Sequence, residues 1–223
     1  MVKIIMDLEF CKVDKKNYPD KRKISRCEVI QIGAVKLNEH NEIIDEFDML
    51  VKPIYSVINK EISNLTHITN ELVEDKPDYA YVMDEFISWI GEEEFSIFTW
   101  SMEDMKQIKC ESALKEYNNE LLEYIYDNWF DLQKMFGEKL GIEQQISLTN
   151  ALKAGDIEFE GLVHTACADA RNTAKIYQVM EDDNMFDKIY RAVKDVFTPT
   201  EELTFTMGSL FSGLNIEGMA MAG

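Results

Sequence analysis

Nowhere in the 223 residues does an apolar run approach the roughly 18 residues that a membrane-spanning helix needs. The N-terminus offers one base, Lys3, ahead of a short apolar run interrupted by Asp7, which is too short and too acidic for a secretory leader. Cysteine is scarce and unpatterned. Cys11, Cys27, Cys110 and Cys167 form no CxxC pair and no metal-ligand rhythm, as expected of reduced packing thiols. From these absences we expect a soluble, cytoplasmic protein with no membrane partner. Positive charge is also in deficit, with 23 bases against 42 acids and a net charge of −19, which argues against a surface that coats nucleic acid indiscriminately.

The charge that is present is unevenly placed. Residues 12–26, KVDKKNYPDKRKISR, carry seven of the 23 bases, among them Lys21, Arg22 and Lys23, and only two acids. The tail from residue 196 differs again, with Gly208, Gly213, Gly218 and Gly223, several methionines and almost no charge. We therefore divide the chain into a domain over 1–195 and a Gly/Met-rich tail over 196–223, of flexible composition and a candidate attachment point for a second copy or a partner protein.

Within the domain, residues 2–8, 28–37 and 42–51 read as strands, the last two joined by the turn NEHN. Val82, Phe86, Trp89 and Ile90 recur at helical spacing before Gly91, and 95–100 is a short buried strand. Helices are predicted over 102–116, 131–140, a short stretch after Ser147 and 165–181, with a strand over 123–126. Strands first as a meander, then alternating with helices, predict an α/β mixed sheet with helices on its faces.

The first strand raises the chemical question. In IIMDLEF, Asp7 and Glu9 occupy alternate positions and emerge from one face of a strand. Two such anions repel, and either the strand is an edge with a wet face or a divalent cation sits between them. Two further acids occur in suggestive settings. Asp104 falls in the first turn of a helix after a buried strand, where capping alone also explains an acid. Asp169 lies on an alanine-rich helix, five positions after His164.

Taken in order, DLE, W-S-x-x-D-x-x-x-I and H-T-A-x-x-D-A-R-N-T-A resemble the three exonuclease motifs of the DEDDh family of 3′-to-5′ exonucleases. That family includes proofreading subunits, RNase T, oligoribonuclease and RNA-trimming exonucleases related to enhanced-RNAi proteins. EVIQIGAV, ISNLTHIT, DLQ and SLTNAL add support, and the resemblance spans about residues 1–182. His67 and Ser101 depart from the usual residues, and Glu103 competes with Asp104, which keeps the family's spacing from Trp100.

The resemblance implies a ribonuclease-H-like, five-stranded mixed sheet with helices on both faces. It implies that Asp7, Glu9, Asp104 and Asp169 hold two Mg²⁺ or Mn²⁺ ions, that Glu9 takes part in the chemistry, and that His164 takes a proton from the attacking water. The implied substrate is the 3′ end of single-stranded RNA or DNA, with RNA favoured, and the product a nucleoside 5′-monophosphate. Leu8 and Phe10 are expected to pack on the terminal nucleotide, and Lys21, Arg22 and Lys23 to guide the phosphate backbone. The competing expectations are a catalytically inactive nucleic-acid-binding module on the same fold, and an unrelated metal-dependent phosphatase.

Overall fold

Strand β1, Val2–Lys12, sits at the centre of a five-stranded sheet because both of its faces are apolar at the start, with Ile4, Ile5 and Met6 fully buried. The computed structural model describes residues 1–197. Antiparallel to β1 runs β2, Cys27–Leu37, and antiparallel to β2 runs β3, Ile43–Leu50. On the other side β4, Phe95–Thr99, and β5, Trp129–Asp131, are parallel to β1, giving the order β3-β2-β1-β4-β5. The mixed sheet expected from the order of elements is therefore present.

Alternation along β1 sends its side chains into two cores. Ile4, Met6 and Leu8 pack with Val82 and Phe86 of α4 (Tyr79–Ile90), Ile108 of α5 (Glu103–Lys115) and Ile125 of α6 (Leu122–Asp127). Ile5 faces Phe136 of α7 (Leu132–Leu140), Leu152 of α8 (Leu148–Ala154), Ile176 of α9 (Ala166–Glu181) and Phe186 of α10 (Asp183–Phe197). Burying each such large side chain stabilises the fold by about 1.5–3 kcal/mol. Local signals place the helix ends. Asp78 accepts from the Tyr81 N–H at 3.0 Å to start α4, and Gly91, at φ +87°, ends it in a conformation that suits glycine.

Residues 122–127 correct the sequence reading. The predicted strand over 123–126 is helix α6, and the strand follows it at Trp129–Asp131. Tyr124, Ile125 and Tyr126 favour strands by propensity, but Leu122 and Ile125, three apart, bury one helical face, and the Asn128 side chain donates to the Tyr124 carbonyl at 2.8 Å. Burial outweighs propensity here. The short helices α1 (Lys21–Ile24), α2 (Lys60–Thr66) and α3 (Asn70–Val73), and α10, were not anticipated. Helix α10 continues past the expected boundary at 195, and the rest of the tail, with the partner contact expected of it, lies outside the described residues. Among the described residues no helix is long and apolar enough to cross a membrane.

Candidate active site

Asp7 and Glu9 project from β1 opposite Gly33 and Gln31 of β2. A Cβ at Gly33 would lie 2.1 Å from the Cys167 nitrogen and 2.2 Å from the Ala166 carbonyl carbon, so the first turn of α9 rests directly on the strand there. Beside it, the Gln31 side chain accepts from the Ala166 N–H at 3.1 Å and donates to Asp48 at 2.7 Å. Arg171 forks onto Glu46 of β3 at 2.9 and 2.7 Å, a second attachment of α9 to the sheet. These contacts carry Asp169, in the first turn of α9, to the acid pair of β1.

The segment ahead of α9 is held as firmly. Asn172, fully buried, donates to the carbonyls of Glu160 and Ala168 and accepts from the Glu160 N–H. The loop ends in His164, which adopts a left-handed backbone at φ +62° and donates its own N–H to the Asp169 carboxylate at 3.0 Å. One ligand atom from each of Glu9, His164 and Asp169 falls within 4.8 Å of the other two. The fourth acid comes from α5, whose first turn follows β4. Asp104 is 7% exposed, whereas Glu103 faces solvent and pairs with Lys106 at 2.6 Å.

Electrostatics set this cluster apart from ordinary surface acids. Burial pushes the Asp7 carboxyl well above its usual range, and the charges of Asp104, Asp169 and Glu9 push it further. Glu9 is pushed up to about 8 by burial and then by Asp169 and Asp104. Asp104 rises to about 7 through burial, although its own N–H and that of Leu8 hold it down in part. Burial also raises Asp169, against the His164 imidazole and N–H. Among the described residues no Lys or Arg pairs with these four acids, and His164 alone offsets part of the repulsion, at Asp169. Four carboxylates that resist ionising together are a donor set suited to hard divalent cations, which remove the repulsion that raises them.

The expected substrate contacts fare differently. Leu8 is 5% exposed and its side chain lies in the core under α4 and α5, so it offers no platform for a base; strand alternation turns it away from Asp7 and Glu9. Phe10 is half-buried against the same core. Arg22 is occupied, donating to the carbonyls of Val13 at 3.0 Å and Arg26 at 2.5 Å, and so shapes the basic loop. Lys23 pairs with Asp20 at 2.8 Å on the surface, and the Lys21 ammonium lies 5.1 Å from the Tyr55 ring centroid. Gln31 and Gly33 position α9 without belonging to any of the three motifs, and their signal in the sequence is a polar residue and a glycine inside the apolar run EVIQIGAV.

A family model described as an exonuclease, RNase_T, matches residues 4–177. The chain is 26% identical over 168 residues to 3′-5′ exoribonuclease 1 of Rattus norvegicus, an alignment covering 70% of this chain and 47% of that protein. It thus spans about half the length of that curated relative. A shorter stretch of 65 residues is 37% identical to the PolC-type DNA polymerase III of Staphylococcus haemolyticus, covering 29% of this chain and 4% of that one. In three dimensions it is similar to the nuclease domain of 3′hExo, described as a DEDDh family member bound to rAMP, with a TM-score of 0.69 at 25% identity over 83% of this chain and 94% of that chain. With the motifs, the mixed sheet and the matched span in agreement, this chain belongs to the RNase T-type exonuclease family.

Proposed function

We propose that the chain is a metal-dependent 3′-to-5′ exonuclease that shortens single-stranded nucleic acid, RNA in preference to DNA, and releases nucleoside 5′-monophosphates. The observation that carries this reading is the convergence of four acids from β1, α5 and α9 beside His164, with the three named carboxyls at Asp7, Glu9 and Asp104 displaced far above their ordinary range. Asp7, Glu9 and Asp169 would hold one Mg²⁺ or Mn²⁺ ion, and Asp7 with Asp104 a second. Bound there, such ions stabilise the charge on the attacking and leaving oxygens of a phosphodiester.

The chain's own residues supply position and proton transfer. The His164 imidazole, beside Glu9 and Asp169, takes the proton from the water that attacks phosphorus. The new P–O bond forms as the bond to the 3′ oxygen breaks, and that oxygen acquires a proton from solvent. Glu9 orients the attacking water through its carboxylate. The name of the rat relative supports RNA, and the free thiols of Cys11, Cys27, Cys110 and Cys167 support a reducing, cytoplasmic setting.

The test is digestion of 5′-labelled single-stranded RNA and DNA of equal sequence in Mn²⁺, with and without a 3′-phosphate. A ladder shortening from the 3′ end, mononucleotide product, loss of cleavage in EDTA and resistance of the blocked end are expected. Binding without cleavage would favour an inactive module, and inorganic phosphate as product would indicate a phosphatase.

A further inference from the structure

Helix α5 carries Asp104 at its start and, further along, a polar stripe that the proposed chemistry does not use: Gln107, Glu111 and Lys115, four residues apart, the first and last half-buried and Glu111 buried between them. Glu111 is 1% exposed. Its Oε2 accepts from the backbone N–H of Val29 at 3.1 Å and from Gln107 at 3.0 Å, and Gln107 also donates to the Cys27 carbonyl at 3.0 Å. Its other oxygen lies 3.8 Å from the Lys115 ammonium, which contacts the fully buried Glu28 of β2. Glu28 in turn accepts from the N–H groups of Ile54 and Tyr55 at 2.8 and 2.7 Å.

The place where Glu111 reaches the sheet matters more than the ion pairs. Pairing between β1 and β2 steps from Glu9 opposite Gln31 to Phe10 opposite Val29, so Ile30 is an extra residue and β2 bulges directly beside Glu9. A bulge breaks the ladder and leaves backbone groups in need of partners, and it re-aims the neighbouring side chains. The Val29 N–H finds its partner on α5, through a helical side chain 82 residues away. One carboxylate oxygen therefore ties the helix that carries Asp104 to the bulge that aims Glu9.

We infer that Glu111 is a positioning residue that sets the Asp104 carboxylate against Asp7 and Glu9 by bridging α5 to the β2 bulge. The inference rests on the proposed metal site. A shift of a few tenths of an ångström between the two elements changes how all four acids meet a cation, and outer residues that orient metal ligands typically alter affinity by about 10–100-fold. Glu111 acts at one remove, which puts its effect near the lower bound.

Two variants separate reach from the carboxyl group itself. Glu111→Gln keeps an oxygen for Val29 and Gln107 at full side-chain length, and Glu111→Asp keeps the carboxyl group but falls one methylene short. Mn²⁺ binding is measured by titration calorimetry on the full chain, at a temperature where circular dichroism shows each variant folded. The expected result is affinity within about twofold of native for Glu111→Gln and about tenfold weaker for Glu111→Asp. Native affinity in Glu111→Asp, or equal weakening in both, overturns the inference and leaves the metal reading standing. A native protein that binds no Mn²⁺ removes both.

Discussion

His164 meets Asp169 through its backbone, with the His164 N–H donating to the carboxylate at 3.0 Å from a left-handed conformation at φ +62°. The link therefore does not depend on the imidazole. Asparagine tolerates that backbone region better than most residues, so His164→Asn is expected to keep the loop and Asp169 in place while cleavage falls by about 10²–10⁴-fold. Rate and Mn²⁺ affinity are measured on the same preparation. A tenfold loss of affinity would instead make the imidazole a ligand.

The acid cluster predicts an unusual pH dependence for the metal-free protein. Glu9 and Asp104 are pushed up to about 8 and about 7, so the folded state holds protons that the unfolded chain releases. The stability these groups contribute is complete below the ordinary carboxylate range and is lost as pH rises through about 7–8, at up to about 1.4 kcal/mol per pH unit for each group. In EDTA, Tm should fall between about pH 5.5 and 8.5. Saturating Mg²⁺ should reverse the slope, since it binds the deprotonated form. Asp7→Asn should raise Tm in EDTA, flatten the slope and abolish cleavage; a lower Tm across this range would argue that Asp7 is paired rather than repelled.

Gly33 has no room for a methyl group, because the contacts at 2.1 and 2.2 Å are with the backbone of α9 and cannot be relieved by a rotamer change. Overpacking of this kind costs about 1–3 kcal/mol. Gly33→Ala should lose about that much in urea melts and lose cleavage more than hundredfold, as α9 carries Asp169 away. Gly91→Ala is the control. Its added methyl meets nothing, so only the backbone at φ +87° is strained, and it should cost about 1 kcal/mol with the native rate retained.

The basic loop divides into structural and available cations. Arg22 donates to two backbone carbonyls, so Arg22→Gln should loosen the loop by about 1–2 kcal/mol. Among the described residues the Lys21 side chain makes a ring contact and the Lys23 side chain an exposed ion pair. If they touch phosphates, Lys21→Gln with Lys23→Gln should lower the salt slope of long-strand binding by about 1–2 and leave a dinucleotide unaffected. An unchanged slope would reduce the loop to a solvated turn.

The chemistry and order of the site are written in short stretches of sequence, as are most elements, because strand alternation, helical spacing and end caps such as Asp78 and Gly91 act between near neighbours. The same locality explains the misreadings. Nothing within 122–127 reveals that Leu122 and Ile125 have a core to face, and alternation turns Leu8 to the face opposite Asp7 and Glu9 without showing that α4 and α5 close over that face. Which of Glu103 and Asp104 turns inward, and that Arg22 is occupied, depend on where α5 and the loop pack. The framework holding the acids together is more distant still: Gln31 meets Ala166 across 135 residues, and Val29 meets Glu111 across 82. Contacts over such separations leave no period in the chain. They are decided only when burial of the two cores brings β2, α5 and α9 together.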